Sequence, residues 1–89
     1  MIEKTLKIIN ERGLHVRPST LLSDAARKRQ CRVTVRAHGK TINVESMLLL
    51  VAAHIEKGEE ITLVCDGPDE DAAMEEASEL IESGFNGLF

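Results

Sequence analysis

Two hydrophobic periodicities alternate along this chain of 89 residues, and their order constrains the fold more than any other feature. Apolar residues recur at every second position in segments 2–8, 31–37, 42–44 and 61–65, which is typical of strands buried on one face. The intervening segments have helical spacing or lack helix breakers. The pattern predicts the order β-α-β-β-α-β-α in a single domain, residues 1–89, because a chain of this length forms only one core.

The first two predicted helices have clear boundary signals. Segment 18–29 carries an apolar stripe, and its first residue is a proline, which is tolerated only in a first turn, so this helix begins close to residues 15–17. Its last turn contains three cations, which the helix dipole favours. Segment 47–55 contains no breaker; we expect the Ser46 hydroxyl to cap this helix and Gly58 to close it.

A third helix follows the acidic residues 69–71 and ends at Gly84, and its buried face is expected to comprise Ala73, Met74, Ala77, Leu80 and Ile81. His38-Gly39 makes a tight turn between two strands of a hairpin. We predict an α+β fold in which a four-stranded antiparallel sheet is covered on one face by three helices. Two topologies fit this pattern: a ferredoxin-like split β-α-β, and a related open-faced β-sandwich with a different strand order.

Composition excludes several classes of function. The chain has no Trp or Tyr and only two Phe, which nearly excludes stacking on nucleic-acid bases, and its net charge of −4 argues against nucleic-acid binding. The longest apolar run, residues 47–53, is too short to cross a membrane, and the N-terminus is unlike a secretory signal. We therefore expect a cytoplasmic protein that neither binds nucleic acid nor inserts into a membrane.

The cysteines and histidines show no metal-binding spacing. Cys31 and Cys65 are expected to be two reduced thiols in the core, with a disulfide or a metal site as the alternatives. His38 and His54 are expected to be an ordinary turn residue and an ordinary helix residue. The sequence therefore predicts no metal site.

Residues 13–19, Gly-Leu-His-Val-Arg-Pro-Ser, carry the chemistry, because they lie where a strand passes through a loop into a helix. The first backbone N–H groups of a helix have no intrahelical acceptor and attract anions, phosphate above all. Gly13 allows a sharp turn there, and the Arg17 guanidinium can bind two phosphate oxygens. A helix N-terminus disfavours the imidazolium, so we expect a neutral His15 that can attack a phosphoryl group. The alternative is an ordinary capping or solvent-facing histidine.

Three segments of the chain resemble HPr, the histidine-containing phosphocarrier of the phosphoenolpyruvate-dependent phosphotransferase system. Residues 13–18 look like the active-site signature of that family, residues 39–47 like its second signature around a regulatory serine, and residues 57–62 like its approach to the last strand. The similarity extends from residue 2 to about residue 83. It implies the open-faced β-sandwich of the family, which decides between the two topologies.

The resemblance also implies roles for individual residues. Nδ1 of His15 would accept a phosphoryl group from enzyme I, with phosphoenolpyruvate as the ultimate donor, and would pass it to a IIA-type acceptor. The Arg17 side chain and the backbone amides of Val16 and Arg17 would hold the phosphate. Ser46 would be the residue phosphorylated by an HPr kinase/phosphorylase, and a plain N-cap is the alternative for this serine. The protein would be a carrier rather than an enzyme and would need no cofactor.

A partner surface is expected beside the start of the first helix. Met47, Leu48 and Val51 cannot all face the core from one side of a helix, so those left outside would form a small apolar docking patch. Thr20 and Arg27 lie farther along the first helix and would rim this patch. Because a small carrier must meet two partners in turn, we expect a monomer.

Three positions depart from the family pattern. Ser19 stands where family members often have Ala, Glu45 where a basic residue is common, and Leu49 where many have Gly. The change at Ser19 leaves the phosphate cradle intact, whereas Glu45 and Leu49 bear on recognition by a kinase and on the choice of partners. A nitrogen-branch or purely regulatory HPr-like protein is therefore an alternative. From a different class, the alternative is a ferredoxin-like ligand-binding module without covalent chemistry.

Overall fold

The computed structural model describes residues 1–87, so the last two residues of the predicted domain, Leu88 and Phe89, lie outside the described residues. Seven elements follow one another in the predicted order. Their bounds are β1 Ile2–Lys7, α1 Val16–Arg27, β2 Arg32–Ala37, β3 Lys40–Asn43, α2 Met47–Ala52, β4 Glu60–Asp66 and α3 Glu70–Glu82. The predicted order of the elements is therefore confirmed.

The sheet has the strand order β1-β4-β2-β3, and every neighbouring pair is antiparallel. Its register places apolar side chains opposite one another. Leu6 pairs with Ile61, and Val35 lies between Leu63 on one side and Ile42 on the other. Because none of these side chains is more than 6% exposed, this face of the sheet forms the core. The strand order confirms the open-faced β-sandwich of the two predicted topologies.

The opposite face of the sheet is polar. Nη2 of Arg36 lies 2.5 Å from Oε2 of Glu3, and the hydroxyls of Thr5 and Thr62 are 3.4 Å apart. The helices therefore pack on the apolar face alone: α3 contacts β1 and β4, α2 contacts β3, and α1 contacts both other helices. Within residues 1–87, no helix is both long and apolar enough to span a membrane.

The helical stripes pack as their spacing predicts, with one difference. The buried residues of α1 include Leu22, Ala25 and Ala26, and those of α3 include Ala73, Met74, Ala77 and Ile81. Leu80, which was predicted to belong to the buried face of α3, is only half-buried. Gly84 ends this helix as predicted, since its φ of +63° is a left-handed conformation that suits glycine.

Helix α2 is shorter than the sequence predicts. It ends at Ala52 and does not reach Gly58. The amide of Ala53 donates to the carbonyl of Leu49 at 3.1 Å, and His54 then has a φ of +52°, a left-handed conformation in which the helix cannot continue. The predicted closure at Gly58 is therefore wrong, and His54 is a turn residue rather than a helix residue.

Helix α1 also ends earlier than predicted, at Arg27, so only one of the three predicted cations lies in its last turn. Lys28 is the C-cap residue, and Arg29 follows it. Both bind Glu76 of α3: Nζ of Lys28 lies 3.2 Å from Oε2, and Nη2 of Arg29 lies 3.0 Å from Oε1. These two cations tie the end of α1 to α3.

The predicted hairpin turn between β2 and β3 is confirmed. His38 and Gly39 both have positive φ angles, +54° and +72°, as the two central residues of a type I′ turn require. The carboxylate of Glu59 accepts a hydrogen bond from the Glu56 amide and binds Nε2 of His38. These two contacts, the first more strongly, lower the pKa of Glu59. The turn is thereby fastened to the loop that precedes β4.

Candidate phosphoryl-acceptor site

His15 lies at the entrance to α1. It is the N-cap residue, with an extended backbone (φ −80°, ψ −168°), and Val16 is the first helical residue. The helix therefore starts where the position of Pro18 predicted. The His15 side chain is half-buried, so the protein surrounds part of the ring while the rest is reachable from solvent.

Two backbone amides next to His15 are suited to bind an anion. Pro18 has no N–H group, and the amide of Ser19 donates to the carbonyl of His15 at 3.1 Å. The amides of Val16 and Arg17 precede that bond and have no acceptor within the helix. The first turn of α1 contains no acidic side chain, so the positive end of its dipole is not compensated from within the turn. Helix starts of this kind bind phosphate.

The Arg17 side chain adds a full positive charge at the same place. It is exposed, and it forms no ion pair with any carboxylate of residues 1–87. Arg27, Arg29 and Arg36, in contrast, are each paired with an acidic side chain. The Arg17 guanidinium can therefore bind two oxygens of an incoming phosphate without breaking an existing ion pair.

The loop before His15 rests directly on the segment that follows α2. Gly13 has a φ of +64°, and a Cβ at this position would lie 2.2 Å from the carbonyl oxygen of Ile55 and 2.7 Å from Cα of Glu56. Only glycine fits such an approach. The amide of Leu14 then donates to the same Ile55 carbonyl at 2.9 Å.

Two buried polar side chains hold this loop, and the sequence analysis missed one of them. Nδ2 of Asn10 donates to the carbonyl of Gly13 at 2.5 Å, and Oγ of Ser19 donates to the carbonyl of Leu14 at 3.0 Å. Asn10 is 5% exposed and Ser19 is 0% exposed. The sequence predicts Ser19 only as a tolerated change and Asn10 only as a loop residue, because a single buried amide leaves no periodic signal in a sequence.

Ser46 caps α2, as predicted. Its hydroxyl oxygen accepts a hydrogen bond from the amide of Leu49 at 3.3 Å, and its own amide donates to the carbonyl of Asn43 at 3.1 Å. The Ser46 side chain is half-buried, and it directly precedes the first residue of the helix. The hydrogen bond from the Leu49 amide gives Ser46 a structural role as the cap of α2, independent of any regulatory role.

The side chains of α2 divide between the core and the surface. Leu50 is fully buried, Met47 and Val51 are half-buried, and Leu48 is 75% exposed. We call Met47, Leu48 and Val51 the apolar patch. Leu49, at 52% exposed, was not predicted to belong to a surface. An apolar side chain on both sides of Leu48 made the exposed face of this helix indistinct in the sequence.

The other predicted surface residues lie on α1. The side chain of Val16, predicted only for its backbone amide, is 54% exposed at the start of this helix, which packs against α2. The Thr20 hydroxyl donates to the Val16 carbonyl at 2.8 Å. Arg27 pairs with Asp24, and it lies about 18 Å from His15 along the helix axis, given a rise of about 1.5 Å per residue. Thr20 is therefore near the helix start, and Arg27 is not.

The remaining groups that could react lie away from His15. Burial raises the pKa of the Cys65 thiol to about 11, and burial likewise raises that of Cys31, so both sulfurs stay protonated at neutral pH. Within residues 1–87, no group of three or more His, Cys, Asp or Glu side chains could hold a metal ion. A cavity of about 440 Å³ borders the β2–β3 turn, between His38, Lys40, Leu49 and His54, and does not include His15.

Comparison with known proteins gives one consistent family. A family model described as the PTS HPr component phosphorylation site matches residues 2–83. The fold is similar to that of HPr-C-His from Thermoanaerobacter tengcongensis, with 32% identity, a TM-score of 0.92 and 97% of each chain covered. It is also similar to the histidine-containing phosphocarrier protein of Mycoplasma, with 30% identity and a TM-score of 0.88, covering 94% of this chain and 97% of that one.

A third similar structure belongs to a protein named for catabolite repression. It is Crh, the catabolite repression containing protein of Bacillus subtilis, with 26% identity and a TM-score of 0.74, covering 94% of this chain and 97% of that one. That protein forms a domain-swapped dimer. A swapped dimer is thus built on the same fold, and the monomer expected from the sequence stays a prediction.

Proposed function

Because the chain belongs to the HPr family, the phosphocarriers of the phosphotransferase system, we propose that His15 is the residue that carries the phosphoryl group. Nδ1 of His15 accepts this group from enzyme I, with phosphoenolpyruvate as the ultimate donor, and passes it to a IIA-type acceptor. The protein is a substrate of two other proteins in turn, rather than an enzyme in its own right. It acts in the cytoplasm, as a monomer and without a cofactor.

The proposed transfer uses the lone pair of a neutral imidazole. As the bond between Nδ1 and phosphorus forms, the bond between phosphorus and enzyme I breaks, and enzyme I keeps that electron pair. The transferred dianion is stabilised by the amides of Val16 and Arg17 and by the Arg17 guanidinium. When a IIA-type acceptor attacks phosphorus, the bond to Nδ1 breaks and His15 is regenerated.

The observation that carries this proposal is the position of His15 as the N-cap residue of α1. A cap residue is adjacent to the amides that its helix leaves without acceptors. A phosphoryl group on His15 therefore forms beside the Val16 and Arg17 amides and beside a guanidinium that has no competing ion pair within the described residues.

The apolar patch is proposed as the docking surface for both partners. Leu48 projects into solvent, and the half-buried Met47 and Val51 flank it on the same helix. Since α2 packs against α1, a partner seated on the patch is held next to the helix that begins at His15. Thr20 would rim this surface. Arg27, at the far end of α1, would contribute only to a partner with a large footprint.

Ser46 is proposed as a regulatory site for an HPr kinase/phosphorylase. A phosphate on its hydroxyl would add negative charge at a helix start, where the dipole favours it, so little refolding is needed. The added charge would lie directly beside Met47 and Leu48 and would weaken docking of an acidic partner surface. ATP-dependent labelling of the wild type by such a kinase, absent from Ser46→Ala, tests this role. Absence of an acid-stable label on Ser46 would retire it.

A second candidate function is regulation by binding, in which phosphoryl transfer to an acceptor is not the main task. The similarity to the catabolite repression protein of Bacillus subtilis favours it. Glu45 and Leu49, which depart from the usual family pattern, fit either that function or a nitrogen branch of the system. A chain that takes label from enzyme I but fails to pass it to any IIA-type acceptor would support this second candidate.

Incubation with enzyme I and radiolabelled phosphoenolpyruvate tests the main proposal. We expect an acid-labile, base-stable label that His15→Ala abolishes and Ser46→Ala retains. His54→Ala is the matched control, because it removes an exposed histidine that lies outside the site. A wild-type protein that takes no label under these conditions would overturn the proposal in favour of a ligand-binding module without covalent chemistry.

A further inference from the structure

We propose that Asn10 and Ser19 are positioning residues for phosphoryl transfer. They fix the two peptide groups that precede His15, so that the carbonyl oxygens of those groups point into the protein and away from the phosphoryl group. The inference rests on the proposed role of His15, and it assigns a task to two buried polar side chains that the phosphate cradle itself does not use.

The peptide group between Gly13 and Leu14 is held at both ends. Its carbonyl oxygen accepts from Nδ2 of Asn10 at 2.5 Å, and its N–H group donates to the carbonyl of Ile55 at 2.9 Å. The backbone carbonyl of Asn10 also accepts from the Gly13 amide at 3.1 Å, which closes the turn. This peptide group cannot rotate without breaking two hydrogen bonds.

The peptide group between Leu14 and His15 is held by its oxygen. The Ser19 hydroxyl, which is fully buried, donates to the Leu14 carbonyl at 3.0 Å. This peptide bond is trans, so its N–H group points in the opposite direction from its carbonyl. The Ser19 hydrogen bond therefore keeps the negative end of this dipole in the interior and directs the positive end, at the His15 nitrogen, the other way.

The orientation matters because the product at His15 is a dianion. Each peptide group has a dipole of about 3.5 D, and its oxygen end repels negative charge. A loop in which either carbonyl turned outward would present that end to the phosphoryl group. Donors that are already fixed before the reaction need no reorganisation during it, and this is the main source of electrostatic stabilisation in such sites.

Asn10 makes a poor choice for stability alone. Its Oδ1 atom is buried and accepts no hydrogen bond from the described residues. A buried acceptor without a donor destabilises the folded state, and this cost offsets part of what the Nδ2 hydrogen bond contributes to stability. Only the Nδ2 group, through its bond to the Gly13 carbonyl, gives the amide a function at this position.

The test compares Ser19→Ala and Asn10→Leu with a matched control, Ser78→Ala. Ser78 is also a buried serine, 6% exposed, whose hydroxyl donates to the Met74 carbonyl at 2.6 Å, but it lies on α3. For each protein, three quantities are measured: kcat and KM for phosphorylation by enzyme I, the half-life of the phosphohistidine in buffer, and the denaturant midpoint of unfolding.

We expect kcat to fall about two- to tenfold in Ser19→Ala and in Asn10→Leu, which corresponds to the loss of one hydrogen bond, while KM is unchanged. The phosphohistidine should hydrolyse faster by a similar factor. Ser78→Ala should lower the unfolding midpoint and leave both rates alone. If the wild type is labelled and Ser19→Ala behaves like Ser78→Ala, the positioning role is refuted while the carrier function stands.

Two further outcomes are distinguishable. A wild type that takes no label refutes the carrier function, and with it this inference. If Asn10→Leu does not fold, Ser19→Ala decides alone, because it removes a single oxygen atom from α1.

Discussion

The starts of α1 and α2 use the same backbone chemistry in opposite ways. At α2, the Ser46 hydroxyl accepts the Leu49 amide, so a donor at the helix start is satisfied from within the protein. At α1, the amides of Val16 and Arg17 have no intrahelical acceptor, and the Arg17 charge is not paired within the described residues. The side chains at the cap and in the first turn therefore decide whether a helix start is closed or can take an anion.

The start of α3 is a third case, in which acidic side chains of the first turn close the helix start. Its first turn contains Glu70 and Asp71, which compensate the dipole from within the helix. The Glu70 carboxylate binds the N-terminal ammonium of Met1 and accepts from the Gly67 amide. These contacts, in that order, lower the pKa of Glu70. Within residues 1–87, the start of α1 is the only helix start that combines a histidine with a cation that forms no ion pair.

The largest expected effect concerns Gly13, in the loop that precedes α1 and contacts the segment that follows α2. Gly13→Ala should lower the free energy of unfolding by about 3 kcal/mol, because the new Cβ meets the Ile55 carbonyl in a left-handed backbone. Gly39→Ala is the control: its φ is also positive, but nothing lies within 4 Å of its Cβ, so about 1 kcal/mol is expected. Urea unfolding measures both. If both variants lost the same free energy of unfolding, the close approach of Gly13 to Ile55 would not contribute to the cost of Gly13→Ala.

The next effect tests whether the start of α1 depends on its cation. Arg17→Ala should lower kcat/KM for phosphorylation by enzyme I by about ten- to a hundredfold, the range for losing hydrogen bonds to a charged group. Arg17→Lys keeps the charge but not the paired donors, so its kcat/KM should lie between the values of the wild type and Arg17→Ala. Arg32→Ala, the control, removes an exposed arginine on β2 and should leave kcat/KM for phosphorylation by enzyme I unchanged. A loss of the same size in Arg32→Ala would point to general electrostatic attraction instead.

A smaller effect tests whether the start of α2 is structural. Ser46→Ala should lower the free energy of unfolding by about 1 kcal/mol, since it removes the cap, whereas Ser46→Gly should cost only a few tenths. Both variants should accept the phosphoryl group from enzyme I at the wild-type rate. Denaturant unfolding and the labelling assay measure the two properties separately. Slow labelling of Ser46→Ala would contradict the division of roles between the two helices.

The smallest effect concerns the far end of α1. Burial raises the pKa of Glu76, but hydrogen bonds from Lys28 and Arg29 outweigh it and leave that pKa below its ordinary value of 4.5. The folded carboxylate therefore stabilises the protein above pH 4.5, and this contribution is lost as the pH falls through the folded value.

Glu76→Gln should consequently reduce stability at pH 7 by less than about 1 kcal/mol, because the ion pairs are partly exposed, and the difference from wild type should shrink in acid. Unfolding midpoints between pH 7 and pH 3 measure this. A difference that grows in acid would contradict the sign, and any change in labelling would show that the two ends of α1 are coupled.

The sequence revealed those features that depend on neighbours along the chain. One face of β2 is buried, so apolar residues alternate with polar ones along this strand, at Val33, Val35 and Ala37. The period of two in the sequence therefore predicted which side chains are buried. His15 and Arg17 could be found because the cradle that they share with the first amides of α1 is contiguous in sequence. The strand order, in contrast, came only from the family resemblance, since periodicity carries no information about which strands pair.

Features that depend on contacts between segments far apart in sequence could not be predicted, because no local pattern marks them. The close approach of Gly13 to Ile55 joins segments that are far apart in sequence, and nothing local marks it. The early end of α2 follows from the left-handed backbone at His54, where the helical pattern alone favours continuation. Asn10 is hidden for a further reason, because its task is to bind one carbonyl group rather than to face a core.

The most direct test of the central claim is a ¹H–¹⁵N NMR comparison of the protein before and after phosphorylation by enzyme I. The account predicts ¹⁵N–³¹P coupling at Nδ1 of His15 and large downfield shifts of the Val16 and Arg17 amide protons, while the amide of Leu49 in α2 stays in place. Coupling at another nitrogen, or shifts at the start of α2 with none at Val16 and Arg17, would contradict it.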